Sequence, residues 1–163
     1  TALRRQRQMC IRDRYHPDYY SNFKQKCDSY FFNTHRNEAR GVGGIFFDYL
    51  KKTDTITLED RFKFVTAVGD SFENAYTPIL KKRKDLNFTK AQRRWQEIRR
   101  GRYVEFNLIH DKGTIFGLQT NGRIESILIS LPPKVQWKYD YSPEPNSKEA
   151  RLLKVLKKPQ DWV

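Results

Sequence analysis

YVEFNLIHDKGTIFGLQTNGRIESILISL, residues Tyr103 to Leu131, is the stretch of sequence on which the predicted fold depends. Three β-patterned runs are separated there by two short turns, His110-Asp111-Lys112-Gly113 and Asn121-Gly122-Arg123. Gly and Asn favour tight hairpin turns because their backbones adopt positive φ most easily. The stretch therefore predicts three antiparallel strands joined by two hairpins.

Both turns carry charged side chains, Asp111 and Lys112 on the first and Arg123 on the second. Loops at the edge of a rigid sheet often bind ligands, and a guanidinium can grip a carboxylate with two hydrogen bonds. We therefore expect a site for an anionic ligand, where a carboxylate at Asp111 orients or deprotonates a ligand N–H. The alternatives are a turn-forming role for Asp111 and a solvated position for Arg123.

Helices are expected before and after these strands. Apolar residues recur at three- and four-residue spacing after Pro17, with Gly41 as a stop. Further helices are predicted to begin after the N-cap residues Thr57, Thr89 and Ser147. The helix after Thr57 is expected to end or kink at Pro78, the helix after Thr89 to stop at Gly101, and the helix after Ser147 to end at Pro159. Two additional strands are expected, at Gly43 to Leu50 and at Val135 to Tyr139. This order indicates the α+β class, a meander packed on helices.

The formal net charge of +13 is concentrated in two segments. Thr1 to Arg14 holds five Arg against one Asp, and Lys81 to Arg102 holds ten Lys or Arg against Asp85 and Glu97. Such an excess indicates an acidic partner: nucleic acid, a substrate with several carboxylates, or an acidic part of the same protein beyond this sequence. The helix expected at Lys90 to Arg100 is more simply a solvated basic face.

The opening segment, residues 1–14, has no apolar period and is predicted to be a non-native or disordered basic tail. Residues 15–163 then form one domain or part of one. The two cysteines, Cys10 and Cys27, lack metal-binding spacing, which favours a reducing compartment and hence the cytoplasm. No run of 18 apolar residues exists, so no membrane span is expected.

Six collinear blocks resemble the oxygen-dependent coproporphyrinogen III oxidase family. They are HRNEARGVGGIFFDYL from His35, AYTPILKKRK from Ala75, RRGRYVEFNL from Arg99, DKGTIFGLQTNGRIESILISLPP from Asp111, WKYDY from Trp137 and the terminal DWV. The resemblance covers Tyr15 to Val163, and this segment resembles about the C-terminal half of the family's domain. We therefore expect the chain alone to be inactive.

The resemblance implies that two propionates of coproporphyrinogen III are oxidatively decarboxylated to vinyl groups, giving protoporphyrinogen IX for haem biosynthesis. It implies that dioxygen is the co-substrate and that no organic cofactor is required. It leaves open whether a divalent metal such as Mn²⁺ is used. It also implies a large flat antiparallel sheet flanked by helices and a homodimer that forms through Tyr103 to Lys138. A substrate with four carboxylates agrees with the positive charge.

The resemblance also implies roles for single residues. Asp111 matches a carboxylate that engages pyrrole N–H groups, and Arg40 matches an active-site arginine. Asn121, Gly122 and Arg123 match a substrate-binding turn, and His35 matches a metal ligand of bacterial relatives. Lys112 departs from the family, which usually has Arg there, and lysine lacks the planar bidentate grip of a guanidinium. The rival function is a basic nucleic-acid-binding module, although Val104, Phe106 and Leu108 are expected in the core and no nucleic-acid partner is predicted.

Overall fold

The computed structural model describes residues 15–160, so the predicted basic tail at residues 1–14 and the terminal DWV block lie outside the described residues. The helices are α1 (Tyr19–Tyr30), α2 (Leu58–Arg83), α3 (Lys90–Ile109), α4 (Lys112–Gln119), α5 (Ile124–Leu128) and α6 (Lys148–Lys157). The strands are β1 (Phe32–Asn33) and β2 (Glu38–Ala39), joined through a 3₁₀ turn at Thr34–Arg36. None of the helices in this range is long and apolar enough to cross a membrane.

The described residues form two compact units. The first contains residues 15–27, 44–87 and 160, and the second contains residues 28–43 and 88–159. Every candidate residue predicted from the sequence belongs to the second unit. The candidate site therefore lies in the second unit.

The first unit has an aromatic core around Phe64 of α2, which is fully buried. The rings of Tyr19 and Phe47 contact it with centroids 4.9 and 5.1 Å away. The segment Gly43 to Leu50, predicted as a strand, has no ladder partner in the described part of the chain and is not a strand. Its backbone contacts α1, where Phe46 N–H donates to Phe23 O at 3.0 Å. The strand prediction was wrong because hydrophobicity alone does not supply a neighbouring strand.

Helix α2 begins where the sequence predicts. The Thr57 side chain accepts a hydrogen bond from Asp60 N–H, and the Asp60 carboxylate accepts one from Thr57 N–H. This reciprocal capping satisfies amide groups that the first helical turn leaves free. The helix continues through Pro78 to Arg83, so it does not end at Pro78, and the other predicted outcome, a kink there, stays a prediction. Several of its apolar side chains are exposed, among them Leu58, Phe62 and Phe72.

Helix α3 extends well beyond its predicted stop. Thr89 caps it reciprocally with Gln92, as expected, but the helix passes through Gly101 and ends at Ile109. Gly101 has a packing role, because a Cβ there would lie 2.9 Å from Gln136 O. Gly101 therefore does not end the helix. Its missing side chain lets the loop at Gln136 pack close to the helix.

The predicted strands of Tyr103 to Leu131 are helical, and this part of the prediction was wrong. The turns, however, lie where the sequence indicates them. Asp111 caps α4 by accepting from Thr114 N–H at 2.8 Å, and Asn121 ends it in the left-handed conformation with φ of 54°. Gly122 N–H then donates to Gly117 O at 2.9 Å, which is the hydrogen bond of a Schellman helix end. Turn residues that suit a hairpin therefore serve here as helix caps.

The predicted fold class is corrected accordingly. The described residues contain only one sheet, the antiparallel pair β1 and β2, and no large flat sheet flanked by helices. Val135 to Tyr139, expected as a strand, forms an irregular loop. The last helix is confirmed: Ser147 accepts from Ala150 N–H, Leu156 is buried, and the helix ends before Pro159.

Two mid-helix glycines should respond oppositely to alanine. Gly69→Ala should raise the free energy of unfolding by about 0.5–1 kcal/mol, because alanine favours the helix and its Cβ meets no atom within 4 Å. Gly101→Ala should lower it, because Gln136 O obstructs the new Cβ. Urea unfolding followed by circular dichroism measures both changes. An equal stabilisation by both substitutions would contradict the close approach at Gly101.

Candidate functional site

A buried carboxylate, Glu105, organises the second unit. Its side chain is only 9% exposed and accepts two hydrogen bonds from Arg36, at 2.8 and 3.0 Å. Arg102 donates to it at 3.0 Å and Trp137 Nε1 at 2.9 Å. His35 Nε2 lies 3.0 Å from the same carboxylate. Glu105 therefore connects helix α3 to the 3₁₀ turn and to the loop at Trp137.

The balance of burial and charge fixes the ionisation of Glu105. Burial alone raises the pKa of Glu105, because a carboxylate is solvated less well away from water. Hydrogen bonds from Arg36 and His35, together with the charges of Arg102 and Arg36, outweigh burial and lower the pKa to about 2. The same contact raises the pKa of Arg36. Glu105 is therefore a carboxylate at neutral pH.

A second ion pair joins the strand pair to α3. Glu38 of β2 accepts from Arg99 at 2.7 Å, and Arg102 Nε lies 3.2 Å from the same oxygen. Arg99 also donates to Ala39 O at 3.3 Å. Arg102 therefore contacts both buried carboxylates, Glu38 and Glu105. Sharing of one cation between two acids stabilises charges that would be costly to bury alone.

Arg40, predicted as an active-site cation, lies among aromatic rings beside β2. Its guanidinium carbon is 4.0 Å from the ring centre of Phe31, 4.7 Å from Phe106 and 5.0 Å from Tyr103. A guanidinium over aromatic faces is held by cation–π attraction. Arg40 N–H also donates to Phe31 O at 3.1 Å. The predicted cation is thus half-buried and held against the last turns of α3.

Asp111 lies where α3 gives way to α4, and its carboxylate is partly used by the fold. Oδ2 accepts from Thr114 N–H and from the Thr114 hydroxyl, at 2.8 and 2.9 Å. Oδ1 accepts a longer hydrogen bond, 3.3 Å, from the Tyr30 hydroxyl. Lys112 follows as the first residue of α4, with an exposed side chain. The turn-forming alternative for Asp111 therefore has structural support, while Oδ1 has only a weak partner.

The other predicted ligand residues lie at the far end of α4. Asn121 and Arg123 are exposed and follow the helix, with Gly122 between them. Eight residues of α-helix span about 12 Å, so α4 separates Asp111 and Lys112 from this turn. The structure thus gathers Arg40, His35 and Asp111 around the end of α3, and it does not bring Arg123 into that group.

The surroundings of His35 do not fit the metal ion that the resemblance left open. Both ring nitrogens are engaged, Nε2 with Glu105 and Nδ1 with His110 Nε2 at 3.2 Å. The Glu105 oxygens are occupied by arginine and tryptophan donors. Within residues 15–160 no group of three or more His, Cys, Asp or Glu side chains is suitable for a metal.

Sequence reasoning overlooked Glu105 and Arg36. As a strand, Tyr103 to Leu108 places Glu105 on the outer face, opposite Val104 and Phe106. As a helix, the Arg102 and Glu105 pair lies on neighbouring turns. That three-residue spacing of opposite charges was the available signal. Val104 and Phe106 are buried as predicted, but Leu108 is 43% exposed.

A family model described as coproporphyrinogen III oxidase matches residues 4–162 of the chain. The match extends over nearly the whole sequence, including the second unit with its candidate residues. The resemblance seen in the sequence blocks is therefore confirmed at the level of the family. The match does not assign roles to single residues, and those roles stay predictions.

Stability should fall in acid because of Glu105. Its folded pKa of about 2 lies below the usual 4.5, so the folded state binds this proton more weakly than the unfolded state does. The stabilisation is complete above pH 4.5 and is lost as pH falls toward 2, by roughly 3 kcal/mol. Urea unfolding at pH 7 and pH 3 should show about 2 kcal/mol of this loss, because Glu105 of the folded state is still largely ionised at pH 3.

Glu105→Gln should lower the free energy of unfolding at pH 7 by roughly 3 kcal/mol, because two arginines lose their buried counter-charge. The variant should also lose much of the acid sensitivity below pH 4.5. Glu73→Gln is the matched control, since Glu73 is exposed on α2, and it should behave as the unchanged protein. Equal behaviour of the two variants would contradict the central role of Glu105.

Proposed function

Because the chain belongs to the coproporphyrinogen III oxidase family, we propose that it serves the oxygen-dependent conversion of coproporphyrinogen III to protoporphyrinogen IX. Membership of the family gives the chain an oxidoreductase role in porphyrin biosynthesis. The oxygen-dependent type is supported by the sequence blocks around His35, Asp111 and Trp137. In this reaction each of two propionates loses CO₂ and a hydride equivalent, and dioxygen accepts the electrons.

The observation that carries the proposal is the placement of exposed cations at both ends of α4. Lys112 lies at its start, where the helix dipole is also positive, and Arg123 follows its end. The substrate carries four carboxylates around a macrocycle, so its acidic arms can contact cations that lie apart. Asp111, half-buried between Tyr30 and Thr114, would then face the pyrrole N–H groups.

Arg40 contributes differently in this proposal. Its guanidinium is held against three aromatic rings, which form an apolar surface suited to a flat macrocycle. We propose that Arg40 attracts one propionate while the neighbouring rings contact the tetrapyrrole. Positioning of this kind is the main task of the protein, because the electron-rich pyrrole itself reduces dioxygen. Mn²⁺ has no place in this proposal, since the residues around His35 do not fit it.

We also propose that the protein is a cytoplasmic homodimer with no nucleic-acid partner. The cytoplasmic location is supported by the cysteine usage, since Cys10 and Cys27 lack metal-binding spacing. The proposed dimer contact, Tyr103 to Lys138, carries several exposed apolar side chains on α4 and α5. The most exposed apolar residues of this range are Phe116 of α4 at 67% and Ile129, directly after α5, at 84%. Contiguous exposed apolar groups favour association.

Binding of coproporphyrin III, the stable oxidised tetracarboxylate, tests the substrate proposal by fluorescence quenching. Arg123→Gln and Lys112→Gln should each weaken binding roughly fivefold, corresponding to about 1 kcal/mol per exposed ion pair. Lys112→Arg should strengthen binding, because a guanidinium can donate two parallel hydrogen bonds to one carboxylate. Lys134→Gln, a change of an exposed lysine in the loop before Trp137, is the control and should have no effect.

The tetramethyl ester of the same porphyrin separates charge recognition from apolar adsorption. It should bind at least tenfold more weakly, because it offers no carboxylate to the cations. Equal affinities for the ester and the acid would contradict the substrate proposal.

Light scattering tests the homodimer. Ile129→Asp and Phe116→Asp should each shift the protein from dimer toward monomer, since a buried unpaired carboxylate is costly at an apolar interface. Phe72→Asp, at an exposed aromatic residue of α2, is the comparison and should leave the dimer intact. Dissociation by Phe72→Asp alone would place the interface on α2 and overturn the proposed one.

A further inference from the structure

The hydroxyl of Tyr30, the last residue of α1, lies between two groups at the start of α4. Its oxygen is 3.3 Å from Asp111 Oδ1 and 3.3 Å from the backbone nitrogen of Lys112. All three residues belong to the second unit. The proposed function gives Tyr30 no role, although it depends on the carboxylate that Tyr30 contacts.

The chemistry of the two neighbours fixes the direction of both hydrogen bonds. A backbone N–H can only donate, and an ionised carboxylate can only accept. Lys112 N–H therefore donates to the phenol oxygen, and the phenol hydrogen points to Asp111 Oδ1. Both contacts are longer than the most common hydrogen bonds, as is frequent at sites that tighten only when a ligand binds. A hydroxyl that accepts one hydrogen bond is polarised and donates the other more strongly.

Contacts among residues 15–160 leave one acceptor position of the Asp111 carboxylate for a ligand. An ionised carboxylate has about four such positions. The N–H and the hydroxyl of Thr114 use two at Oδ2, and the Tyr30 hydroxyl uses one at Oδ1. The carboxylate cannot rotate without breaking these contacts, so the remaining lone pair of Oδ1 has a fixed direction. An N–H group of a ligand is a suitable partner for it.

The ring of Tyr30 packs on the same aromatic side chains that hold Arg40. Its centroid lies 4.9 Å from that of Phe31, with the rings perpendicular, and 5.7 Å from that of Phe106. The guanidinium carbon of Arg40 lies 4.0 and 4.7 Å from the centres of these two rings. Edge-to-face contacts between rings are favourable and directional. Phe31 and Phe106 therefore position Arg40 directly and the Asp111 carboxylate through the Tyr30 hydroxyl.

We propose that Tyr30 is a positioning residue for Asp111, whose Oδ1 it orients to accept hydrogen bonds from the pyrrole N–H groups of a reduced tetrapyrrole. This role rests on the proposed function, because it requires a ligand that carries N–H donors as well as carboxylates. Tyr30 exchanges no proton with the ligand and forms no bond to it. Its hydrogen bond holds the carboxylate in the orientation that the ligand needs.

Such positioning should favour the reduced macrocycle over the oxidised one. In coproporphyrinogen III the carbons that join the pyrroles are tetrahedral, so the pyrrole N–H groups can turn toward one face of the ring. In coproporphyrin III the ring is flat and its inner hydrogens lie in the ring plane, where a carboxylate above the ring cannot align with them. Both molecules carry the same four carboxylates. The Tyr30 hydroxyl should therefore contribute to the binding of the reduced form alone.

Competition binding under anaerobic conditions measures this difference. Coproporphyrin III is fluorescent and coproporphyrinogen III is not, so displacement of the first by the second gives both dissociation constants. Tyr30→Phe keeps the ring and should weaken coproporphyrinogen binding roughly fivefold, which corresponds to about 1 kcal/mol, while coproporphyrin binding stays unchanged. Tyr76→Phe is the matched control, because it removes an exposed phenol hydroxyl from α2 in the first unit, and it should change neither affinity.

Asp111→Asn tests whether the effect of Tyr30 passes through the carboxylate. Asparagine caps a helix about as well as aspartate, so the start of α4 is kept. This variant should itself weaken coproporphyrinogen binding, and adding Tyr30→Phe to it should cause no further loss, because the two residues act as one unit. A further fivefold loss in the double variant would show that Tyr30 acts independently of Asp111 and would overturn its positioning role.

Failure of this role and failure of the proposed function give different results. If the unchanged protein binds both tetrapyrroles and Tyr30→Phe changes neither affinity, or weakens both equally, the role of Tyr30 is overturned and the proposed function stands. If the unchanged protein binds neither, the proposed function fails and the role of Tyr30 fails with it. In the unliganded protein, the amide hydrogen signal of Lys112 should move upfield in Tyr30→Phe, because its acceptor is removed. An unmoved signal would overturn the role without reference to any ligand.

Discussion

The second unit depends on one buried carboxylate. Glu105 joins α3 to the turn between β1 and β2 through Arg36 and His35, and to the irregular loop through Trp137. Burial of a charge is tolerated only when its hydrogen-bonding capacity is filled. Because four different side chains fill that capacity, segments distant in sequence are held at fixed positions around the end of α3.

This arrangement explains why candidate residues cluster where they do. Arg40 follows β2, and His35 lies in the 3₁₀ turn, so both are positioned by the contacts to α3. Asp111 comes directly after the same helix, where its N–H donates to Phe106 O at 3.0 Å. Lys112 and Arg123 depend instead on α4, whose length sets their separation. A ligand held by both sets must therefore be large and carry several acidic groups.

Electrostatics and apolar surface serve different parts of the proposed function. Buried cations near Glu38 and Glu105 are paired and stabilise the fold. The exposed cations at the ends of α4 remain accessible to solvent and to ligand carboxylates. Exposed apolar side chains on α4 and α5 offer a contact surface for a second copy. In the proposed function, helix α4 therefore contributes both to substrate recognition and to the association of two copies of the chain.

The sequence by itself determined the helix starts at Thr57, Thr89 and Ser147, the turns at Asp111 and Asn121, and the family. Caps and turns are local, because a side chain bonds to amides three residues away, and the family depends on long collinear blocks. Only the tertiary structure decided that Tyr103 to Leu131 is helical, that Gly101 admits a neighbouring loop, and that Glu105 meets His35 and Arg36. Those outcomes depend on contacts between residues about 35 to 70 positions apart, which neither hydrophobic period nor turn chemistry specifies.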